Sequence, residues 1–155
     1  MDSEEPDLHR IDDVINAMYA AISGAPGERD WARLRRLFHP RAQLVRTGVD
    51  SPGTPTAHVF TIAEYMRNAS DLLQDRPFHE IEIARRSVRF GNVAQVFSAY
   101  EARSEPDCDS LIKRGMNMMH LYDDGVRWWI VQMIWDDERD GVELPEELFA
   151  MERAT

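Results

Sequence analysis

The chain is poor in cysteine, lysine and long apolar runs, and each scarcity excludes a class of protein. A single Cys among 155 residues rules out an internal disulfide framework. The longest apolar stretch, Trp128 to Trp135, is broken by Gln132 and falls far short of the ~18 residues that mark a membrane span. The start, MDSEEPDLHR, is acidic and lacks the basic and apolar regions of a secretory leader. The expected location is therefore cytoplasmic, where the Asn68-Ala69-Ser70 sequon has no use as a glycosylation site. A cationic surplus is missing too. The net charge is −10, and all but one of the 18 basic residues are Arg. Such a surface repels phosphate backbones and anionic lipid, so neither nucleic acid nor membrane is an expected partner. There is no GxSxG, no P-loop, no GxGxxG and no His pair at a local metal-ligand spacing. Serine hydrolase, nucleotide and metal chemistry lose their support, and no cofactor is expected.

What remains is an ordinary globular composition, 43% apolar and 30% charged, of a length that fits one domain spanning 1–155, with a core at about 7–139 and an acidic tail at 140–155. The charge is uneven. Residues 1–13 and 136–155 hold 14 of the 28 acids against three Arg, whereas residues 14–135 are nearly neutral. The whole-chain charge thus says little about a ligand bound in the middle of the fold.

The apolar spacing predicts a helix from about Asp7 to Ser23, with Ile11, Val14, Ile15, Met18 and Ile22 on one face and Gly24 as its stop. Asp30 caps a second, short helix carrying Trp31, Leu34, Leu37 and Phe38, which ends at Pro40. Ala42 to Arg46 reads as a strand and His58 to Phe60 as a short extended piece. Thr61-Ile62-Ala63-Glu64 is a capping box opening a third helix, which ends at Pro77. From Phe78 the period changes to two. Ile81 and Ile83 share one parity and Val88 and Phe90 the other, which predicts a bulge near Arg85 to Ser87. Strands follow at Val93 to Arg103, Leu111 to Tyr122 and Val126 to Trp135, the last two joined at Asp123-Asp124-Gly125. Three helices followed by an antiparallel meander is an α+β layout.

A two-residue Asp124-Gly125 turn would set Tyr122 opposite Arg127 and sort the hairpin into two faces. One carries Arg114, Met116, Met118 and His120 with Trp129, Met133 and Trp135. The other carries Asn117, Met119 and Leu121 with Trp128, Ile130 and Ile134. Both are apolar, so both need a cover: the helices for one, a second subunit for the other. The first face is expected inside and the second at a dimer contact. A three-residue turn would exchange them, moving Asn117 inside and Arg114 outside.

Leu37-Phe38-His39-Pro40-x-Ala42 between helix and strand, and Asp124-Gly125 followed by Trp128-Trp129-Ile130, resemble the nuclear transport factor 2-like, or SnoaL-like, superfamily. Arg114-Gly115-x-Asn117, then Arg127 to Val131, then Trp135 and Glu138, resemble a bacterial branch of it without a settled activity. The similarity spans roughly 7–139. It implies a cystatin-like cone in which a curved antiparallel or mixed sheet wraps around three helices, with a pocket between helices and concave face and a homodimer through the convex face. Members include isomerases, dehydratases, cyclases and epoxide hydrolases, and proteins that only bind partners. In the isomerase branch a proton-shuttling Asp lies eight residues after the junction Phe, which here is Arg46, a permanent cation. The phenol donor of that branch falls on Met18, with Tyr19 beside it. Both departures argue against steroid-type isomerisation.

The candidate pocket therefore comprises Met18, Phe38, His39, Arg46, Tyr65, Arg114, Met116, Met118, His120, Trp129, Met133 and Trp135, a soft apolar lining with a few polar handles. Arg114 beside Trp135 is the first choice for an anion, unless Glu101, Glu80 or Glu82 pairs with it. His39 and His120 are the candidates for acid–base work. His9, His58 and His79 read as surface residues. Asp136-x-Glu138-x-Asp140-Gly141 departs from a calcium loop, with Glu143 where an apolar residue belongs and Pro145 two positions on. Leu144, Leu148 and Phe149 are instead expected to dock a short last helix on the body. Cys108, between Asp107 and Asp109, is a poor nucleophile. The expectation is a small-molecule protein, an isomerase, dehydratase or hydrolase without a cofactor. The alternative is a non-catalytic module for protein–protein interaction or dimerisation.

Overall fold

The computed structural model describes residues 5–106 and 110–152, so Cys108 lies outside the described residues. The elements run α1 (Ile11–Ile22), α2 (Trp31–Leu37), β1 (Phe38–Val49), β2 (Pro55–Thr61), α3 (Ile62–Leu73), β3 (His79–Phe90), β4 (Val93–Arg103), β5 (Leu111–Asp123), β6 (Trp128–Asp137) and α4 (Glu146–Glu152). One six-stranded sheet of order β2-β1-β6-β5-β4-β3 holds every strand, and only the β1–β6 pair is parallel.

The helices start and stop for local reasons. Thr61 and Glu64 form the expected capping box on α3, and Asp30 accepts from the Arg33 backbone N–H to open α2. The guanidinium of Arg29 closes the turn after α1 by donating to the carbonyls of Ile22, Gly24, Ala25 and Gly27. The second helix is shorter than expected. Phe38 already pairs with Ile130 in β1, and Pro40 lies where that ladder is interrupted and no N–H is needed.

The main core lies on the inner face of the sheet. Val14, Ile15, Met18 and Ile22 of α1 and Leu34 and Leu37 of α2 pack on Val96, Met119, Leu121, Trp128 and Ile130. A smaller cluster lies on the outer face, where Leu148 of α4, with Leu144 and Phe149, covers Ala84 and Ala99. The last helix thus docks where the tail was expected to.

The faces of β5 and of the first part of β6, up to Ile130, are reversed relative to expectation. Gly115, Asn117, Met119 and Leu121 are buried inside, while Arg114, Met116, Met118 and His120 are half-buried or exposed outside. Turn length is not the cause. Asp123 faces Trp128, so the loop is two residues longer than expected and cross-strand parity is preserved. Asp124 holds this loop by accepting from the backbone N–H groups of Val126 and Arg127 and from Trp129 Nε1, and these bonds depress its carboxyl to about 2. The inner side is the one on which the small residues Ala94, Ser98 and Ala102 of β4 leave room for the helices and Gly115 leaves room for the Tyr100 hydroxyl and Asp137. Further along β6, a bulge at Val131 switches parity: Leu121 pairs with Ile130 but His120 pairs with Gln132. Met133 and Trp135 therefore return to the interior while Gln132 and Ile134 face out. The bulge in β3 falls at Ile83, two residues earlier than expected.

Candidate functional site

A cavity of about 260 Å³ opens between the inner face and the helices. Met18 and Ile22 of α1 form one wall, and Tyr65, Ala69, Leu72 and Leu73 of α3 another. The sheet contributes Arg46 of β1, Glu80 of β3, Tyr100 of β4, Lys113 and Asn117 of β5, and Met133 and Trp135 of β6, with Phe78 just before β3. The floor is aromatic: Tyr65 meets Trp135 edge-on at 5.9 Å and Phe60 at 6.3 Å.

Glu80 is placed by the junction of α1 and β3. The Gly24 and Phe78 backbones exchange hydrogen bonds, and the Ser23 hydroxyl accepts from the Glu80 N–H at 3.0 Å. The carboxylate that results faces the cavity and accepts from Asn117 Nδ2 at 3.2 Å. Desolvation pushes its pKa up from the ordinary 4.5 to about 7, against the opposing pull of the Asn117 donor and Lys113, and Asp137 adds to the rise. A carboxyl poised near neutrality both accepts and releases protons under physiological conditions.

A polarised hydrogen-bond chain fixes the Asn117 amide. Ser98 donates to Glu82, so Tyr19 must donate to Ser98 (2.5 Å), and the Tyr19 oxygen then accepts from Asn117 Nδ2 at 3.1 Å. The chain ends on Glu82, which Arg85 neutralises while bridging to Asp12 and Asn16 of α1. Burial holds the Tyr19 phenol well above its ordinary pKa, and Glu80 reinforces the effect. On the neighbouring strands, the Tyr100 hydroxyl donates to Asp137 Oδ1 at 2.5 Å, and Lys113 Nζ reaches Asp137 Oδ2 at 3.2 Å. Burial raises the Tyr100 phenol as well, so both phenols are neutral donors.

Arg46 stands on the same wall as Trp135. Its guanidinium carbon lies 5.3 Å from the Phe60 ring centre and 6.0 Å from that of Trp135, and Nη2 donates to Asn68 Oδ1 at 3.0 Å.

Of the residues expected in the pocket, Met18, Arg46, Tyr65, Met133 and Trp135 line this cavity. Met133 and Trp135 arrive there through the Val131 bulge rather than through the inferred register. Phe38 is buried in the main core beside the cavity and does not line it. Arg114, Met116, Met118, His120 and Trp129 are on the outer face, because β5 presents its odd-numbered residues to the helices. Arg114 Nε lies 3.9 Å from Glu101 and 3.5 Å from Glu138, an outer-face ion pair and not an anion handle in the cone. His39 meets the Trp129 ring at 6.2 Å, and its Nδ1 accepts from the Arg41 N–H, again away from the cavity. Of the residues expected at a dimer contact, Asn117, Met119, Leu121, Trp128 and Ile130 are buried within the chain, and only Ile134 is exposed.

Glu80, Tyr100 and Lys113 were not expected in the site, nor was Asp137, which holds Tyr100 and Lys113 without lining the cavity. The signal for Glu80 is faint: it alternates with Ile81 and Ile83, and the apolar parity would ordinarily be the inner one. No group of His, Cys, Asp and Glu among the described residues has a metal-binding arrangement.

No protein-family model matches the sequence, and no curated protein is similar to it. Solved structures do match in three dimensions. A cystatin-like protein of unknown function from Nostoc punctiforme aligns with a TM-score of 0.64 at 8% identity, over 83% of this chain and 88% of its own. A candidate dehydratase of the nuclear transport factor 2-like family from Streptomyces avermitilis aligns at 0.59 and 12% identity, over 81% and 91%. This is the nuclear transport factor 2-like fold. A candidate ketosteroid isomerase from Shewanella frigidimarina shares it at 0.56 and 17% identity, over 79% and 91% of the two chains. At such identities the likeness extends to the backbone only, and activity must be argued from this chain's own side chains.

Proposed function

We propose that this nuclear transport factor 2-like chain binds a small, largely apolar molecule in the cone and moves a proton on it, with Glu80 as the acid–base group and no bound cofactor. The single observation that carries the reading is a carboxylate inside an aromatic-lined cavity, met by one oriented amide donor and by no cation within ion-pair distance among the described residues. In an isomerisation, Glu80 takes a proton from a carbon next to a carbonyl and returns it at another carbon. In a dehydration it takes a proton from the carbon next to a carbonyl and delivers it to the hydroxyl on the neighbouring carbon, so that the C–O bond breaks, water leaves and a C=C bond forms. The Shewanella frigidimarina and Streptomyces avermitilis proteins are named for these two reaction types, which supports the choice of class.

The test is deuterium exchange into small cyclic ketones in D2O, beginning with 2-tetralone and followed by proton NMR. Exchange faster than in buffer and lost in Glu80→Gln is expected. Rates for the native chain no greater than for the variant across the ketone series would refute the role.

Self-association through the outer face is part of the reading. Phe90 (86% exposed), Val93 and Tyr122 form an apolar row there, with the exposed Val88 and Met118 on the same face. A homodimer in a cytoplasmic setting is the proposed state. Sedimentation at micromolar concentration should give twice the chain mass, and a pure monomer would overturn it. No helix among the described residues is long and apolar enough to cross a membrane.

A further inference from the structure

We infer that the ligand of the cone carries a carboxylate-type anion that docks on Arg46, with its apolar body lying along Trp135 and Tyr65 toward Glu80. The inference rests on the reading of the cone as a ligand site, and it adds the chemical class of the ligand.

Lys113 is matched by Asp137 at 3.2 Å. Elsewhere the partly buried arginines are answered by acids or carbonyls: Arg85 by Glu82 and Asp12, Arg114 by Glu138, Arg29 by four backbone oxygens. Arg46 differs. Among the described residues its one hydrogen bond goes to the neutral Asn68, and no carboxylate lies within ion-pair distance. Two aromatic faces hold the guanidinium in place without neutralising it.

Arg46 follows Ala42 and Leu44 on the inner parity of β1 and sits in register with Trp135 of β6, so the backbone aims it at the cavity. A half-buried, unmatched and pre-oriented guanidinium is suited to bidentate capture of a planar anion. Glu80 stands on the far edge strand of the same sheet, so the cation and the carboxylate approach the cavity from different walls. A bound anion would be kept at the Arg46 side by repulsion from Glu80.

The experiment compares 2-naphthoate with its neutral counterpart 2-naphthalenemethanol by isothermal titration calorimetry of the full chain. The native protein should bind the anion about tenfold or more tightly, the range expected for a charge-assisted hydrogen bond. Arg46→Gln should erase that preference, Arg46→Lys should keep part of it, and circular dichroism confirms that each variant folds. Glu80→Gln should retain the preference, which separates this inference from the acid–base role of Glu80. Equal affinity of the native chain for both compounds would overturn the anion subsite alone. So would a preference that survives Arg46→Gln and disappears in Lys113→Gln. Binding of neither compound would overturn the cone as a ligand site and the inference with it.

Discussion

Replacing Glu80 by Gln makes the energetic cost of the buried carboxyl measurable. Each unit of pKa difference between folded and unfolded chains is worth ~1.4 kcal/mol. With the folded value raised from 4.5 to about 7, the ionised Glu80 opposes folding by at most about 3.5 kcal/mol. The sign follows from proton counts. Between these two values the unfolded chain has released its proton and the folded chain still holds it, so stability falls as pH rises. The contribution of Glu80 is complete below its unfolded pKa and is lost as pH climbs through about 7. Glutamine keeps the shape and can still accept from the Asn117 amide, but has no proton to lose. Urea unfolding of both chains at about pH 5, pH 7 and pH 8.5 should therefore give a stability difference that starts small and grows in favour of the variant by about 2 to 3 kcal/mol. All other titrating groups are common to the two chains and cancel in the difference. A difference that is flat with pH, or a carbon-13 titration placing the Glu80 carboxyl at an ordinary value, would refute the reasoning.

Arg85→Met would leave Glu82 without its cation and free α1 from its tie to β3. With side-chain exposures of 14% for Arg85 and 19% for Glu82, the expected loss is about 2 kcal/mol in urea unfolding at neutral pH, and less than about 0.5 would mean that solvent already screens the pair. Gly115→Ala would set a methyl group on the Tyr100 hydroxyl and within 2.7 Å of Asp137 Oδ1. It should cost about 1 to 3 kcal/mol by overpacking and release Tyr100 from Asp137, visible as a shift of the Asp137 carboxyl signal. Thr61→Ala removes half of the α3 capping box and should cost about 1 kcal/mol, with faster amide exchange in the first turn of the helix that carries Tyr65.

The sequence revealed elements more readily than faces. The stripe of α1, the capping box of α3, the limits of β4 and the apolar Leu148 of the last helix are all consequences of spacing and composition. The inner side of β5 could not be read in the same way. Periodicity separates two faces but assigns neither to the interior when Met116, Met118 and Trp129 on one are matched by Met119, Leu121 and Trp128 on the other. The small residues of β4 and Gly115, which decide it, act through space. Glu80 was obscured by the same limit. A carboxylate inside is worth placing only where Asn117, Tyr19 and Ser98 converge from three other elements, and no window of sequence holds all four.

The Val131 bulge has a consequence for how such a cavity changes over generations. Ahead of it β6 keeps one parity, and beyond it the strand keeps the other. Losing that single extra residue would leave a regular strand, with Leu121 still facing Ile130, His120 still facing Gln132, and Met133 and Trp135 still turned to the ligand. A deletion of three nucleotides at this codon would thus straighten the strand without exchanging the lining of the wall. The ligand-facing wall of this chain is therefore buffered against loss of a residue at one point of one strand, and its specificity changes there by substitution.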